Sequence, residues 1–407
     1  MSGRRPAVRD PYGLLPKGSA MGPLLALVGL AVVAILTLDL LGGRIPLTSS
    51  SGGGGGGGGA VGDLTPAPSN VIIVPKNPRA EVPGSIVYAK QGSIWVQTGT
   101  TVLQLTAGHQ DSMPSWSPDG QWIYFIRIEE GRGLWPVAGK SVRYDLTYPV
   151  LMRVPPKGGD PEAIVSGLFK KGQYTWFSWI RQPAVDPTDP NRVAVVSDQP
   201  DPTKSDVVLQ FYDLATKKFS LAKGTQLTPP LGQQDPTWRP DGALLLYVKN
   251  DRKGEQGIPS IWKYNPDTAR SAVLTGPGYL APSWSPDGKY VAATKTSPYG
   301  TDVVILDASN GAEILRVTSN GASWSPAWSP RGDAIVYLHM QAGITDLRMA
   351  TLSGTAPALT VKDTIDLTEV SGLDPSSRPS WYIPPDQLPT PSPSPSPAAS
   401  ASTSPAP

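Results

Sequence analysis

One short phrase returns through the middle of this chain and constrains its fold more than any other feature. It reads Pro114-Ser-Trp-Ser-Pro-Asp-Gly120, then Pro236-Thr-Trp-Arg-Pro-Asp-Gly242, Pro282-Ser-Trp-Ser-Pro-Asp-Gly288 and Pro326-Ala-Trp-Ser-Pro-Arg-Gly332. Two weaker copies are Thr175-Trp-Phe-Ser-Trp-Ile180 and Pro379-Ser-Trp-Tyr-Ile-Pro384. The anchoring tryptophans are Trp116, Trp179, Trp238, Trp284, Trp328 and Trp381, separated by 63, 59, 46, 44 and 53 residues. A period of this length belongs to repeat architectures, in which one unit cannot bury its apolar surface without its neighbours.

The phrase has a readable physics. Trp is a large apolar anchor suited to the space between stacked sheets. Pro-Asp-Gly makes a tight turn: Pro presets φ, Asp (Asp119, Asp241, Asp287) bonds forward to the backbone, and Gly accepts positive φ. After each turn comes a short apolar run, such as Trp122-Ile-Tyr-Phe-Ile126, Ala243-Leu-Leu-Leu-Tyr-Val248 or Ala334-Ile-Val-Tyr-Leu338. Runs this short, rich in branched and aromatic residues, read as strands buried on both faces. Two more strands follow in each repeat. Four antiparallel strands repeated six times predict an all-β chain, a six-bladed β-propeller over residues 84–386. Seven blades are the alternative if residues 64–83 contribute strands.

Ser-Trp-Ser-Pro-Asp-Gly at 115–120 and 283–288 resembles the repeat of TolB-type six-bladed propellers, relatives of the WD-repeat proteins. The resemblance covers about 84–386 and implies a ring that docks other envelope proteins. TolB proper also carries an N-terminal domain; the linker is expected to lead almost directly into the first blade here, so its partners are not carried over. The second blade departs from the pattern. Glu129 to Leu146 is an insert expected to form a protruding loop, and Asp186-Pro-Thr-Asp-Pro190 replaces the usual turn.

The flanks place the ring. Met21 to Leu38 carries no charge, and Leu40 and Leu41 extend the run past Asp39. Residues 21–41 would span roughly 31 Å as a helix, enough for the hydrocarbon core. Arg4, Arg5, Arg9 and Lys17 precede the run, whereas only Arg44 follows it before Asp63. The positive-inside rule predicts a cytoplasmic segment 1–20, a signal-anchor helix 21–41 and an extracytoplasmic remainder, in the periplasm or at the cell surface. A cleaved signal peptide is the competing reading, although its apolar region is normally 7–15 residues. Residues 42–83, with Gly52 to Gly59, read as a flexible linker, and the Pro/Ser-rich 387–407 as a disordered tail.

Composition removes several functions. There are no cysteines and only two histidines, His109 and His339. Disulfide scaffolds, thiolate metal sites and Cys nucleophiles are therefore excluded. With 35 Lys+Arg against 33 Asp+Glu the net charge is +2, without the basic excess of a nucleic-acid binder. No carboxylate pair, nucleophile elbow, phosphate loop or dinucleotide fingerprint is recognisable. Asp186, Asp189 and Asn191 lack the Gly and Glu of a calcium loop. No catalytic residue, cofactor or metal site is expected. Trp135, Tyr144, Tyr148, Trp176 and Phe177 surround the second-blade irregularity. Core packing accounts for most such aromatics, but a Trp/Tyr-rich surface patch can also hold a protein or polysaccharide partner.

These readings converge on a non-catalytic binding module tethered to the membrane. The alternative is an extracytoplasmic propeller enzyme of lyase or glycosidase type, with its site at a mouth of the channel. The anchor has a direct check. Mass spectrometry of the mature chain is expected to find a start upstream of residue 21; a start between 40 and 62 would identify a cleaved signal peptide.

Overall fold

The computed structural model describes residues 72–73 and 81–389, except 200, 203–205, 226–231, 252–256 and 357. The expected cytoplasmic segment, membrane helix, nearly all of the linker and the tail from 390 lie outside the described residues. Among the described residues no helix is long and apolar enough to cross a membrane.

The apolar runs after each turn form strands that feed two different cores. In Leu245–Asn250, Leu245 and Tyr247 face the preceding sheet, while Leu246 and Val248 face the following one. A strand with no polar face has to be covered on both sides, and each fully buried aliphatic side chain contributes about 1.5–3 kcal/mol. Six antiparallel sheets result, and six apolar clusters lie between successive pairs of them. The last cluster joins Val336, Leu347 and Met349 of the sixth sheet to Val82, Ile86 and Trp381 of the first. The stack is therefore a closed ring of six blades, a β-propeller.

Closure is made by strand exchange. Blade 1 uses Val82–Lys90, Ser93–Gly99 and Thr101–Gln104, but its inner strand is Ser380–Tyr382 from the far end of the chain, with Ile86 opposite Trp381. Ile72–Ile73 pairs with Thr101–Gln104 on the outer edge. That pair falls within the segment expected to be linker, and it extends blade 1 rather than starting a seventh blade.

The inner strands of blades 2 to 6 are Gln110–Trp116, Ile180–Val185, Gln233–Trp238, Tyr279–Trp284 and Ser323–Trp328. Each breaks register once, and the residue at the break has positive φ: Met113, Gln182, Asp235, Ala281 and Ser325, all between 49° and 54°. A proline follows every one of them. A bulge leaves a residue outside the ladder, where a missing N–H costs nothing. The bulge residue's own N–H is often satisfied by the blade before it. Met113 N donates to Ser377 Oγ at 2.9 Å, Asp235 N to Gln182 Oε1 at 2.9 Å and Ala281 N to Asp235 Oδ2 at 3.1 Å.

Three residues after each bulge stands the anchor that enters the cluster shared with the preceding blade. Trp116, Trp238, Trp284, Trp328 and Trp381 all occupy this kind of place, each 6–8% exposed. Trp238 Nε1 donates to Ala184 O at 3.1 Å and Trp284 Nε1 to Thr237 O at 3.3 Å, tying each ring to the previous inner strand. In blade 3 the expected anchor, Trp179, does not hold this position. It precedes the inner strand and is half-buried, and the residue three past the bulge is Val185, 6% exposed. The reason is the true phrase of that blade, Pro183-Ala-Val-Asp-Pro-Thr-Asp189, in which Val replaces Trp and Asp186 replaces Ser.

The turns hold as hydrogen-bonded units. Asp287 Oδ1 accepts from Ser285 Oγ at 2.7 Å and Lys289 N at 3.1 Å, and Gly288 sits at φ 67°. Asp119 and Asp241 accept likewise from Ser117 and Gln121 N, and from Arg239 and Ala243 N. In blade 3, Asp186 caps Thr188 and Asp189 and pairs with Arg192 at 2.6 Å, so this carboxylate is already neutralised.

Truncating a wedge should cost far more than truncating Trp179. Trp284→Ala is expected to lose about 3–5 kcal/mol of stability, and Trp179→Ala clearly less, as measured by urea unfolding.

Candidate functional site

The insert of blade 2 is not a loop. Ile123–Val137 and Lys140–Val154 pair without interruption over their full length around Ala138-Gly139, both at positive φ. Two successive positive φ values form the hairpin turn whose twist matches the strands, so the ladder has no reason to fray. A second hairpin, Leu168–Lys171 with Tyr174–Phe177, joins its edge through Thr175 opposite Leu134. Together they make an outer four-stranded sheet. Because each strand leaves its Pro-Asp-Gly turn and runs away from it, this sheet stands at the end of the ring opposite those turns.

Strand alternation sorts the side chains of this sheet. Register puts Tyr144 opposite Gly133 and Trp135 opposite Val142, and the Thr175–Leu134 pairing brings Tyr174 and Trp176 to the same face. Trp176 lies 5.3 Å from Tyr144 and 5.7 Å from Trp135, centroid to centroid, and Trp135 lies 6.0 Å from Tyr174. Gly133 makes the packing fit: a Cβ there would lie 2.3 Å from Leu146 Cδ2 and 3.5 Å from Trp176 Cε3. Trp135, Tyr144, Tyr174 and Trp176 are all half-buried. Arg132, Arg143 and Lys170, on the other face, are exposed.

Of the five aromatics expected here, the structure joins Trp135, Tyr144, Trp176 and Phe177. Phe177 is buried and links Trp176 to Trp179 by ring contacts of 5.7 and 5.4 Å. Tyr148 stands apart. Its ring lies over Gly131 and packs into the cluster between blades 1 and 2. Tyr174 and Trp179 are members that sequence reasoning missed. Tyr174 was findable, since it lies two residues from Trp176 in a strand.

The root of this sheet is fastened to blade 3. Asp198 accepts from Trp179 N at 2.7 Å, and Gln199 Nε2 donates to Ser178 Oγ. Burial pushes the Asp198 carboxyl up to about 6, with Asp206 adding repulsion, although the Trp179 N–H favours the charged form.

The second feature is the channel. A cavity of about 470 Å³ is lined by residues of all six inner strands. Asp235 is the single acidic residue among its described lining residues, and its two oxygens accept from Gln182 Nε2 at 2.6 Å and Ala281 N at 3.1 Å. The paired carboxylates of glycoside hydrolysis are not among those lining residues. Arg378 also lines the channel and was missed from sequence. It stands immediately before Pro379, the place that Met113, Gln182, Asp235, Ala281 and Ser325 hold before their prolines. Comparing that variable position across the repeats would have found it.

One constellation has the composition of a hydrolase set without its geometry. Ser323 Oγ lies 3.1 Å from His339 Nδ1, but Ser323 is fully buried and also meets Asn320. Asp346, opposite His339 in register, bonds instead to Thr368, Val370 N and Ser371 N. Burial lowers the His339 pKa.

No family model matches the chain. It is 36% identical over 83 residues, 19% of the chain, to the Tol-Pal system protein TolB of Alcanivorax borkumensis. It is 29% identical over 122 residues, 28% of the chain, to a Bacillus subtilis protein named uncharacterized peptidase YuxL. Each match spans 18% of the relative's own length. Among solved structures, TolB from Acinetobacter baumannii matches with TM-score 0.50 at 17% identity, over 73% of this chain and 66% of its own. A putative TolB from Agrobacterium tumefaciens matches with TM-score 0.50 at 15% identity, over 74% and 94%. The fold is thus a TolB-type six-bladed β-propeller.

Asp198 sets a pH dependence. Its folded pKa of about 6 lies above the ordinary 3.8, so the folded chain holds that proton more tightly than the unfolded chain does. This contribution is complete below about pH 4 and lost as pH rises through about 6. Asp198→Asn should therefore gain stability over the wild type as pH rises from 4 to 7, by up to about 3 kcal/mol, followed by thermal unfolding across that range.

Proposed function

We propose that this chain is a membrane-anchored, extracytoplasmic propeller that binds another envelope protein or a cell-surface polymer and catalyses no reaction on it. The observation that carries this reading is the outer sheet of blade 2, which extends beyond the four-stranded plan shared by blades 3 to 6 and bears the half-buried face of Trp135, Tyr144, Tyr174 and Trp176. Rigid aromatic rings supply large contact area at small cost in conformational entropy, which is why they concentrate at binding hot spots. The sheet is built on the propeller strands themselves, so its rings are held in place before a partner arrives. The likeness to TolB, a Tol-Pal system protein by name, supports an interaction role, and the apolar segment at 21–41 supports presentation at a membrane.

Affinity capture from native membranes tests this. The full chain is expected to retain a protein or glycan partner that Trp135→Ser and Trp176→Ser each weaken at least about tenfold, the loss typical of a hot-spot aromatic, with far-UV circular dichroism unchanged. Equal capture by both variants would remove the outer sheet from the interface.

A further inference from the structure

The guanidinium groups of Arg127 and Arg378 are treated differently. Arg127 makes a bidentate pair with Asp111, Nε to Oδ1 at 2.7 Å and Nη2 to Oδ2 at 2.8 Å, and both side chains are nearly sealed from solvent. This is the arrangement that a buried guanidinium needs. Arg378 has no such partner. From blade 1 it reaches to the far side of the channel, where Nη1 donates to Pro282 O at 2.8 Å and Nη2 to Pro236 O at 3.2 Å. Both acceptors are neutral carbonyls. A guanidinium has five N–H donors, so three remain without a protein acceptor among the described residues. Asp235 acts on it only through space, its oxygens being engaged by Gln182 and Ala281. Arg378 is half-buried in the channel, and burial lowers its pKa from the ordinary guanidinium value, with the Asp235 charge acting against that shift.

A half-buried cation whose acceptors are neutral carbonyls still has donors that an anion would complete. The space for one is present, since Arg378 lines the 470 Å³ cavity. Ser115 and Ser325 line the same cavity, are half-buried, and have hydroxyls with no protein acceptor among the described residues. We propose that the central channel binds a carboxylate, with Arg378 as its charged partner and the Ser115 and Ser325 hydroxyls as neutral donors. The matching of guanidinium to carboxylate is planar and bidentate, which Lys would not reproduce. The carboxylate comes either from a small organic acid or from an acidic side chain inserted by a protein. This inference concerns the channel alone and holds whether or not the outer sheet docks a partner.

Titration calorimetry on the full chain tests it with three probes: succinate, its uncharged analogue succinamide, and a short peptide with blocked ends and one glutamate. Saturable binding of succinate or the glutamate peptide is expected, weakened at least about tenfold in Arg378→Gln, the size of one lost charge-assisted hydrogen bond. Binding of succinate points to a small acid, and binding of the peptide alone to an inserted side chain. No saturation by either probe, equal binding by Arg378→Gln, or equal binding of succinamide would overturn the proposal. If Arg378→Gln fails to fold, the unmodified chain decides. An acid probe must then raise its thermal midpoint while succinamide does not, and a midpoint unmoved by both acid probes overturns the site.

Discussion

The contact on which everything else depends is the seating of one inner-strand side chain against the blade before it. A four-stranded sheet with apolar second strands has two faces to cover and no helix to cover them. Stacking solves this only if every sheet meets two neighbours, and only a closed ring gives both end sheets a second neighbour. The indole, tied at Trp238 and Trp284 to the carbonyl of the previous inner strand, makes that stacking directional. The bulge before it turns the strand and leaves its proline at the channel. Apolar interface and proline-lined channel are thus two products of one local device.

How far this was legible depends on what each residue has to do. The ring could be read because Trp and Pro-Asp-Gly solve the same problem in blade after blade, and repetition reveals a common constraint. Blade 3 misled the count of anchors for the converse reason. Val185 fills the wedge position without resembling a tryptophan, while Trp179, six residues earlier, packs against Phe177 at the root of the outer sheet. Apolar volume is what the interface requires, and several side chains supply it. The insert was visible as a departure from the repeat, but its pairing was not, since Gly131 and Gly133 look like loop residues until a ring is seen to lie over one of them. The repeat position of Arg378, just before Pro379, was there to be compared, but its meaning was not legible because that comes from the two carbonyls it meets, 96 and 142 positions away in the chain.

The two candidate surfaces divide the labour that a scaffold of this kind can perform. The outer sheet offers area: flat rings, rigid strands and an exposed charged face of both signs behind them. The channel offers a narrow space in which Arg378 keeps three unused N–H donors and Asp235 is the one acidic residue among the described lining residues. Neither needs a moving part. The polar atoms around Asp235 are mutually bonded, and the hairpin root is fastened at Asp198 and Ser178, so both surfaces are in place before any ligand comes.

The pairing of Ile86 with Trp381 has a consequence for how the chain is made. Blade 1 lacks its inner strand until nearly three hundred further residues have emerged, roughly 15–60 s at ordinary ribosomal speed. Throughout that interval an open edge and an uncovered apolar flank face the surroundings, an invitation to mispairing with a sister chain. Assembly is accordingly a terminal event, completed when the last strand arrives. Until then, the exposed edge of a nascent chain of this design has to be kept from pairing with another.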